Sequence, residues 1–143
     1  MNSISRISSL IESFSEFSII QNKILIKKIL INPNININEC DFFGETALIK
    51  AINIENIDII ELLLNHNADP NIPDCIGRTA LHYAIVCKNV NNSIKMIELL
   101  LNNGADPNII TQSINPLEYS ILLNKKECIN IFNEYNDNGI ILK

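Results

Sequence analysis

The sequence has few of the residues that build phosphate loops, metal sites and catalytic centres. Only four glycines are present, which leaves little scope for a loop that surrounds a phosphate. The four cysteines have neither C-x-x-C spacing nor a nearby pair of histidines, so no zinc site or redox motif is indicated. No arrangement of nucleophile, base and orienting residue is visible either. We therefore predict a protein that is not an enzyme and that uses neither a cofactor nor a metal.

Positive charge and long apolar runs are also scarce. The chain has 11 Lys and Arg against 16 Asp and Glu, a net charge of −5 and a pI near 4.9, which argues against binding to nucleic acid or anionic lipid. No apolar run approaches the roughly 18 residues of a membrane span, and residues 1–17 lack the apolar region of a signal peptide. We expect a cytoplasmic protein whose cysteines are free thiols.

Apolar residues, in contrast, are plentiful. They make up 47% of the 143 residues, whereas charged residues make up 19%. This composition is far from that of a disordered chain, and the length suits one domain with a modest core. We expect the chain to fold as a single unit.

One segment of the chain recurs with a period of 33 residues. Residues 41–48 read D-F-F-G-E-T-A-L and residues 74–81 read D-C-I-G-R-T-A-L. The later segment E-L-L-L recurs 37 residues apart, at 61–64 and 98–101, so the second copy carries four extra residues within 88–93. Both copies close with A-D-P-N. A fixed period of this length is the signature of a repeat architecture.

The recurring residues have local structural reasons. Each copy contains an aspartate suited to hydrogen-bond turn amides, a glycine suited to positive φ and a threonine suited to cap a helix N-terminus. They are Asp41, Gly44 and Thr46, and then Asp74, Gly77 and Thr79. The pattern predicts a hairpin tip, a helix at 47–53 and a second, almost entirely apolar helix at 57–65 that is buried on both sides. Asn67 and Gly104 suit the ends of the second helices, and Leu99 and Leu100 are assigned to the core.

These repeats resemble the ankyrin repeat, over about residues 20–135 and most closely over 41–108. The second copy has T-A-L-H-Y-A at 79–84, with Ala80 in place of the usual proline, while Ile49 replaces the expected histidine in the first copy. The resemblance implies an all-α solenoid of helix-turn-helix pairs joined by β-turn or hairpin loops. We expect an N-terminal capping repeat at 1–40 with its first helix at 4–17, repeats at 41–73 and 74–109, a C-terminal capping repeat at 110–135 with its last helix ending at Tyr135, and a tail at 136–143.

The side chains that are chemically able to act in catalysis or metal binding have structural interpretations. His82 lies in the position of the family's structural histidine, and His66 reads as an exposed histidine at a helix end. The pairs Asp69 with Asn71 and Asp106 with Asn108 resemble metal ligands in isolation. Their recurrence in the loop that closes each repeat indicates side chains that stabilise turns.

The resemblance implies a module that binds a protein partner through hairpin tips and the concave face, and we expect a monomer. Phe42 and Phe43 are either exposed at a tip, where aromatics favour an interface, or packed on the neighbouring tip. The predicted partner-binding residues are Phe42, Phe43, Glu45, Asn53, Ile54, Cys75, Ile76, Arg78, Val86 and Cys87.

Two alternative functions follow from the same resemblance and from composition. An asparaginyl hydroxylase acts on the loop asparagine of ankyrin repeats, which corresponds to Asn71 and Asn108, with Leu63 and Leu100 at matching distances upstream. The many isoleucines and asparagines indicate an AT-rich coding genome. The second alternative is therefore a host-mimicking effector or regulator from an AT-rich virus, intracellular bacterium or protist.

Overall fold

The computed structural model describes residues 24, 26–28, 30–111 and 114–138. After a helical stretch that ends at residue 30, six helices follow in three pairs. They are α1 (Ala47–Asn53), α2 (Ile57–Asn65), α3 (Ala80–Val86), α4 (Val90–Asn102), α5 (Pro116–Leu122) and α6 (Lys126–Asn138). Within these ranges β-structure is limited to two isolated antiparallel bridges. The all-α prediction and the bounds of α1 and α2 are confirmed, while the expected helix at 4–17 lies outside the described residues.

Short polar side chains start the helices. The Thr46 hydroxyl accepts from the Ile49 amide at 3.3 Å, and Asn56 and Asn89 cap α2 and α4 in the same way. In α3 the backbone N–H of Thr79 instead donates to His82 Nδ1, 3.2 Å away. These bonds satisfy amides that lack partners in the first turn of a helix. Each inner helix of only seven residues therefore has a defined start.

The second helices end where the sequence predicts. Asn67 has φ +63° and Gly104 has φ +85°, and the amides of Ala68 and Ala105 return to the carbonyls of Leu63 and Leu100. This is the left-handed helix end that favours glycine or asparagine. It turns the chain out of the helix toward the next hairpin.

The helices form two layers with the core between them. The inner helices α1, α3 and α5 pack side by side, and α2, α4 and α6 pack behind them in the same order. Leu63 and Leu100, which are equivalent residues of α2 and α4, are fully buried. Leu99 is only partly buried, so its assignment to the core interior is corrected to the core boundary.

The insertion in the second copy forms one added turn of helix. The N-caps Asn56 and Asn89 are 33 residues apart, whereas the helix ends Asn65 and Asn102 are 37 apart. The extra residues are therefore 90–93, at the start of α4. Ser93 anchors this turn, because its hydroxyl donates to the Ala84 carbonyl at 2.7 Å.

The last helix is longer than predicted. It continues to Asn138, three residues beyond the expected end at Tyr135. Asn133 is equivalent to Leu64 of α2 and Leu101 of α4. Both leucines are buried, whereas Asn133 is exposed. A polar outer surface is typical of a capping repeat.

Candidate protein-binding surface

The first hairpin tip (tip 1, residues 41–45) is held by Asp41. Its Oδ1 accepts from the amides of Phe43 and Glu45 at 2.8 and 2.9 Å, and Gly44 takes φ +77°. Phe42 and Phe43 then project away from the core, with exposed fractions of 93% and 62%. Their rings meet edge to face, 5.6 Å apart. Of the two alternatives left open by the sequence, the structure has the exposed arrangement.

The second tip (tip 2, residues 74–78) repeats this geometry and lies against the first. Asp74 Oδ1 accepts from the amides of Ile76 and Arg78 at 2.9 and 2.8 Å. The Cys75 N–H donates to the Phe43 carbonyl at 3.0 Å. Cys75 and Ile76 are exposed, so both tips present apolar side chains from backbones that are hydrogen-bonded to each other.

A network of charged and polar side chains supports the two tips from below. Lys50 Nζ lies 2.7 Å from Asp41 Oδ2 and 3.4 Å from Glu45 Oε2. Tyr83, at the position equivalent to Lys50, has its hydroxyl 2.7 Å from Asp74 Oδ2 and 3.1 Å from Glu45 Oε1.

Arg78 completes this network in the second repeat. It pairs with Asp74 at 2.8 Å, donates to the Tyr83 hydroxyl at 2.6 Å, and stacks its guanidinium 4.5 Å from the centre of the Tyr83 ring. Glu45 and Arg78, predicted as contact residues, are consequently half-buried and already bonded. Their role in the structure is to hold the tips.

The two aspartates that bind the tip amides, Asp41 and Asp74, both have lowered pKa values. Burial raises the pKa of Asp74, but hydrogen bonds from Tyr83 and Arg78 outweigh it and lower the pKa overall. For Asp41, burial is likewise outweighed by bonds from Lys50 and from the turn amides, and the pKa is lowered. Burial, together with Asp74, raises the pKa of Tyr83. The network therefore places two cations, Lys50 and Arg78, against three carboxylates beneath an apolar rim.

The other predicted contact residues lie at the C-terminal ends of the inner helices. Asn53, Ile54 and Val86 are exposed. Cys87 is buried at the C-cap of α3, and its Sγ lies 3.3 Å from the Asn89 carbonyl oxygen. Burial raises the pKa of Cys87 to about 11, so the thiol is protonated at neutral pH. Among the predicted contact residues, Cys87 is the one whose side chain is buried.

Sequence reasoning missed the equivalent residues of the last pair. Asn115 caps α5 as Thr79 caps α3, so counting from these caps aligns Leu122 with Val86 and Leu123 with Cys87. Leu122 and Leu123 are exposed. The helix ends thus form an apolar stripe that consists of Ile54, Val86, Leu122 and Leu123. Both leucines could have been found from the sequence, because the alignment of Asn115 with Thr79 is enough to identify them as equivalents of the predicted contact residues.

A cavity of about 350 Å³ opens between the C-terminal ends of α1 and α3. Asn53 and Val86 line it together with the buried Tyr83 and Cys87. Glu55 and Lys88, which the sequence analysis did not select, complete its polar wall. The cavity therefore adjoins the apolar stripe.

Both histidines have the structural roles expected of them. His82 is buried and its Nδ1 accepts from Thr79, so the ring hydrogen is on Nε2. Within the described residues Nε2 has no hydrogen-bond partner, and burial lowers the pKa of His82, which keeps the ring neutral. His66 is exposed at the end of α2, with Nδ1 2.9 Å from the Leu62 carbonyl oxygen.

The two loop asparagines differ in their contacts. Asn71 joins neighbouring repeats, because its Oδ1 accepts from the Asp106 amide at 2.7 Å and its Nδ2 donates to the Gly104 carbonyl at 2.9 Å. Among the described residues, Asn108 bonds only to Asp106, in its own loop. These bonds support the turn-stabilising interpretation of both pairs. Asn71 and Asn108 stay predicted hydroxylation sites.

We expect Asn71→Ala to lower the free energy of unfolding by about 1 to 2 kcal/mol, since it removes two hydrogen bonds between repeats at an exposed site. The matched variant Asn108→Ala removes bonds within one loop only and should change the free energy by less than about 0.5 kcal/mol. Urea denaturation monitored by circular dichroism gives both values. Equal losses in the two variants would contradict the bridging role of Asn71.

The described residues show no group of three or more side chains able to hold a metal ion. In the same part of the chain, no helix is long and apolar enough to cross a membrane.

Comparison with known proteins agrees with this geometry. Residues 17–111 match a family model that comprises three copies of the ankyrin repeat. No curated protein matches the chain. The family match spans well over half of the sequence and includes both tips, α1 to α4 and the loops that close them. The chain belongs to the ankyrin repeat family.

Proposed function

We propose that this chain is a non-catalytic monomeric module that binds a protein partner through its hairpin tips and apolar stripe. Ankyrin repeats are in general protein–protein interaction modules and are typically non-catalytic. One observation carries the proposal for this chain. It is the exposure of the Phe42 and Phe43 rings on a tip whose backbone is held by Asp41.

Exposed adjacent aromatics on a rigid support favour binding for two physical reasons. Each ring removes a large apolar area from water when a partner covers it. The backbone of tip 1 is already ordered by Asp41 and by the bond between Cys75 and Phe43, so little conformational entropy is lost on association. Rings held in this way have the properties of binding hot spots.

The test is capture of partners from a lysate of cells that express the protein. The double variant Phe42→Ala, Phe43→Ala should reduce the recovery of specific partners by about 10-fold or more, measured by quantitative mass spectrometry. Far-UV circular dichroism and the melting temperature should be unchanged, because neither ring belongs to the core.

Ile31→Ala provides a matched control. Ile31 is also a large exposed apolar residue, but it lies outside both tips and the stripe. Its partner recovery should equal that of the unmodified chain. Unreduced recovery by the double variant, or an equal reduction by Ile31→Ala, would remove tip 1 from the proposed interface.

A further inference from the structure

We infer that the cavity between α1 and α3 is an anchoring site for one basic side chain, lysine or arginine, of the protein partner. The inference rests on the proposed function and specifies the chemistry of the partner. Four features of the structure carry it. They are the added turn of α4, the backbone of Glu55, the unpaired charge of its carboxylate and the apolar wall formed by Val86.

The added turn of α4 builds one side of the site. Asn92 lies in this turn, and its Nδ2 donates to Glu55 Oε2 at 2.9 Å. The shorter helix α2 begins directly at its N-cap Asn56 with no such turn before its first buried residues. The added turn of α4 is therefore the part of the repeat that orients the Glu55 carboxylate.

Glu55 occupies a backbone conformation that glutamate rarely adopts. Its φ is +55°, and the equivalent residue of the last pair is Asn124 with φ +53°. Asparagine tolerates the left-handed region better than glutamate does. Both residues follow the C-cap of an inner helix, where a left-handed residue commonly ends the helix, so the helix end fixes the backbone of Glu55 at the wall of the cavity.

The Glu55 carboxylate is ionised and forms no ion pair with another described residue. Hydrogen bonding from the Cys87 thiol and the Asn92 amide lowers the pKa of Glu55, with smaller contributions from the backbone and the charge of Lys88. In the described part of the chain, the ion pairs involve other carboxylates, among them Asp41, Glu45 and Asp74 at the tips, and none involves Glu55. This makes Glu55 an oriented acceptor whose carboxylate is not held in an ion pair.

The two lysines nearest to this site do not fill it. Lys88 is exposed at the rim and forms no ion pair with any residue that the structure describes, and Lys125 donates to the Cys87 carbonyl at 3.1 Å. Lys88 weakens the negative potential of the cavity without neutralising the carboxylate at contact distance. A cation from a partner can therefore approach Glu55 directly.

The shape of the cavity suits a long side chain with a charged end. Val86 is 46% exposed beside the opening, and the volume of about 350 Å³ exceeds the share of many water molecules. The methylene groups of lysine or arginine would pack along Val86, while the charged end reaches Glu55. Arginine has the additional advantage of several donors for one carboxylate.

The test uses two short peptides and NMR of the folded, isotope-labelled chain. The probe is acetyl-Leu-Arg-Leu-amide, and the matched control peptide has citrulline, which is neutral and of similar shape, in place of arginine. We expect saturable shift changes in the backbone amides of residues 53–55 and 86–88 with the arginine peptide. The citrulline peptide should bind about 10-fold more weakly.

Substitutions assign the effect to the carboxylate. Glu55→Gln should reduce the affinity for the arginine peptide to that for citrulline, whereas Lys88→Gln should raise it by about 2- to 5-fold. Glu61→Gln, on the outer helix α2, should leave it unchanged. The comparison of the two peptides needs no substitution, so it remains decisive even where Glu55→Gln fails to fold.

Equal binding of the two peptides, or no shift changes at residues 53–55 and 86–88, would overturn the inference. Unchanged affinity in a folded Glu55→Gln variant would also overturn it. Partner capture that still depends on Phe42 and Phe43 would then show that the proposed function holds while its basic anchor does not.

Discussion

Leu100→Ala is expected to lower the free energy of unfolding by about 2 to 5 kcal/mol. Leu100 is fully buried in α4, and this helix packs against α2, α3 and α6. Removal of its side chain leaves a cavity at the centre of the array. Because each repeat is stabilised by its neighbours, the loss should reach the whole chain, and urea denaturation should show one transition at lower urea concentration.

Leu122→Ala provides the control for Leu100→Ala. Both substitutions delete the same atoms, but Leu122 is 71% exposed, so its replacement should change the free energy by less than about 0.5 kcal/mol. The partly buried Leu99 should give a value between the two. A loss below about 1 kcal/mol for Leu100→Ala would contradict its placement in the core.

Gly44→Ala is expected to destabilise the chain by about 2 to 6 kcal/mol, for two reasons that add. The residue has φ +77°, which is unfavourable for alanine by about 1 to 2 kcal/mol. The new Cβ would also lie 2.6 Å from the Cys75 nitrogen, so the backbones of tips 1 and 2 would have to separate and break the bond from Cys75 to Phe43. Thermal unfolding followed by circular dichroism measures the effect.

Gly104→Ala separates the two contributions. Its φ of +85° is similar, but no atom lies within 4 Å of the added Cβ. We expect a loss of only about 1 to 2 kcal/mol from the backbone. If Gly44→Ala cost no more than Gly104→Ala, the close approach of the two tips would be disproved.

Structure that depends on near neighbours in the chain is predicted most accurately from the sequence. Gly44 and Thr46 determine the turn and the first helix through contacts within a few residues, and the bounds of α1 and α2 were predicted correctly. The end of the last helix was predicted wrongly, because residues typical of turns lie inside that helix. The segment N-D-N-G at 136–139 reads as a stop, yet α6 continues to Asn138.

The sequence alone therefore determined the repeat, the helix pairs, the family and most of the buried face. A period of 33 residues and the spacing of apolar residues along a helix can both be counted along the chain. Only the tertiary structure decided that Phe42 and Phe43 are exposed and that Tyr83 reaches Glu45, 38 positions away. It also decided that Asn92 orients Glu55, 37 positions away, at the wall of a cavity. These contacts depend on how adjacent repeats are rotated and spaced, and that packing arises from side chains across the whole interface.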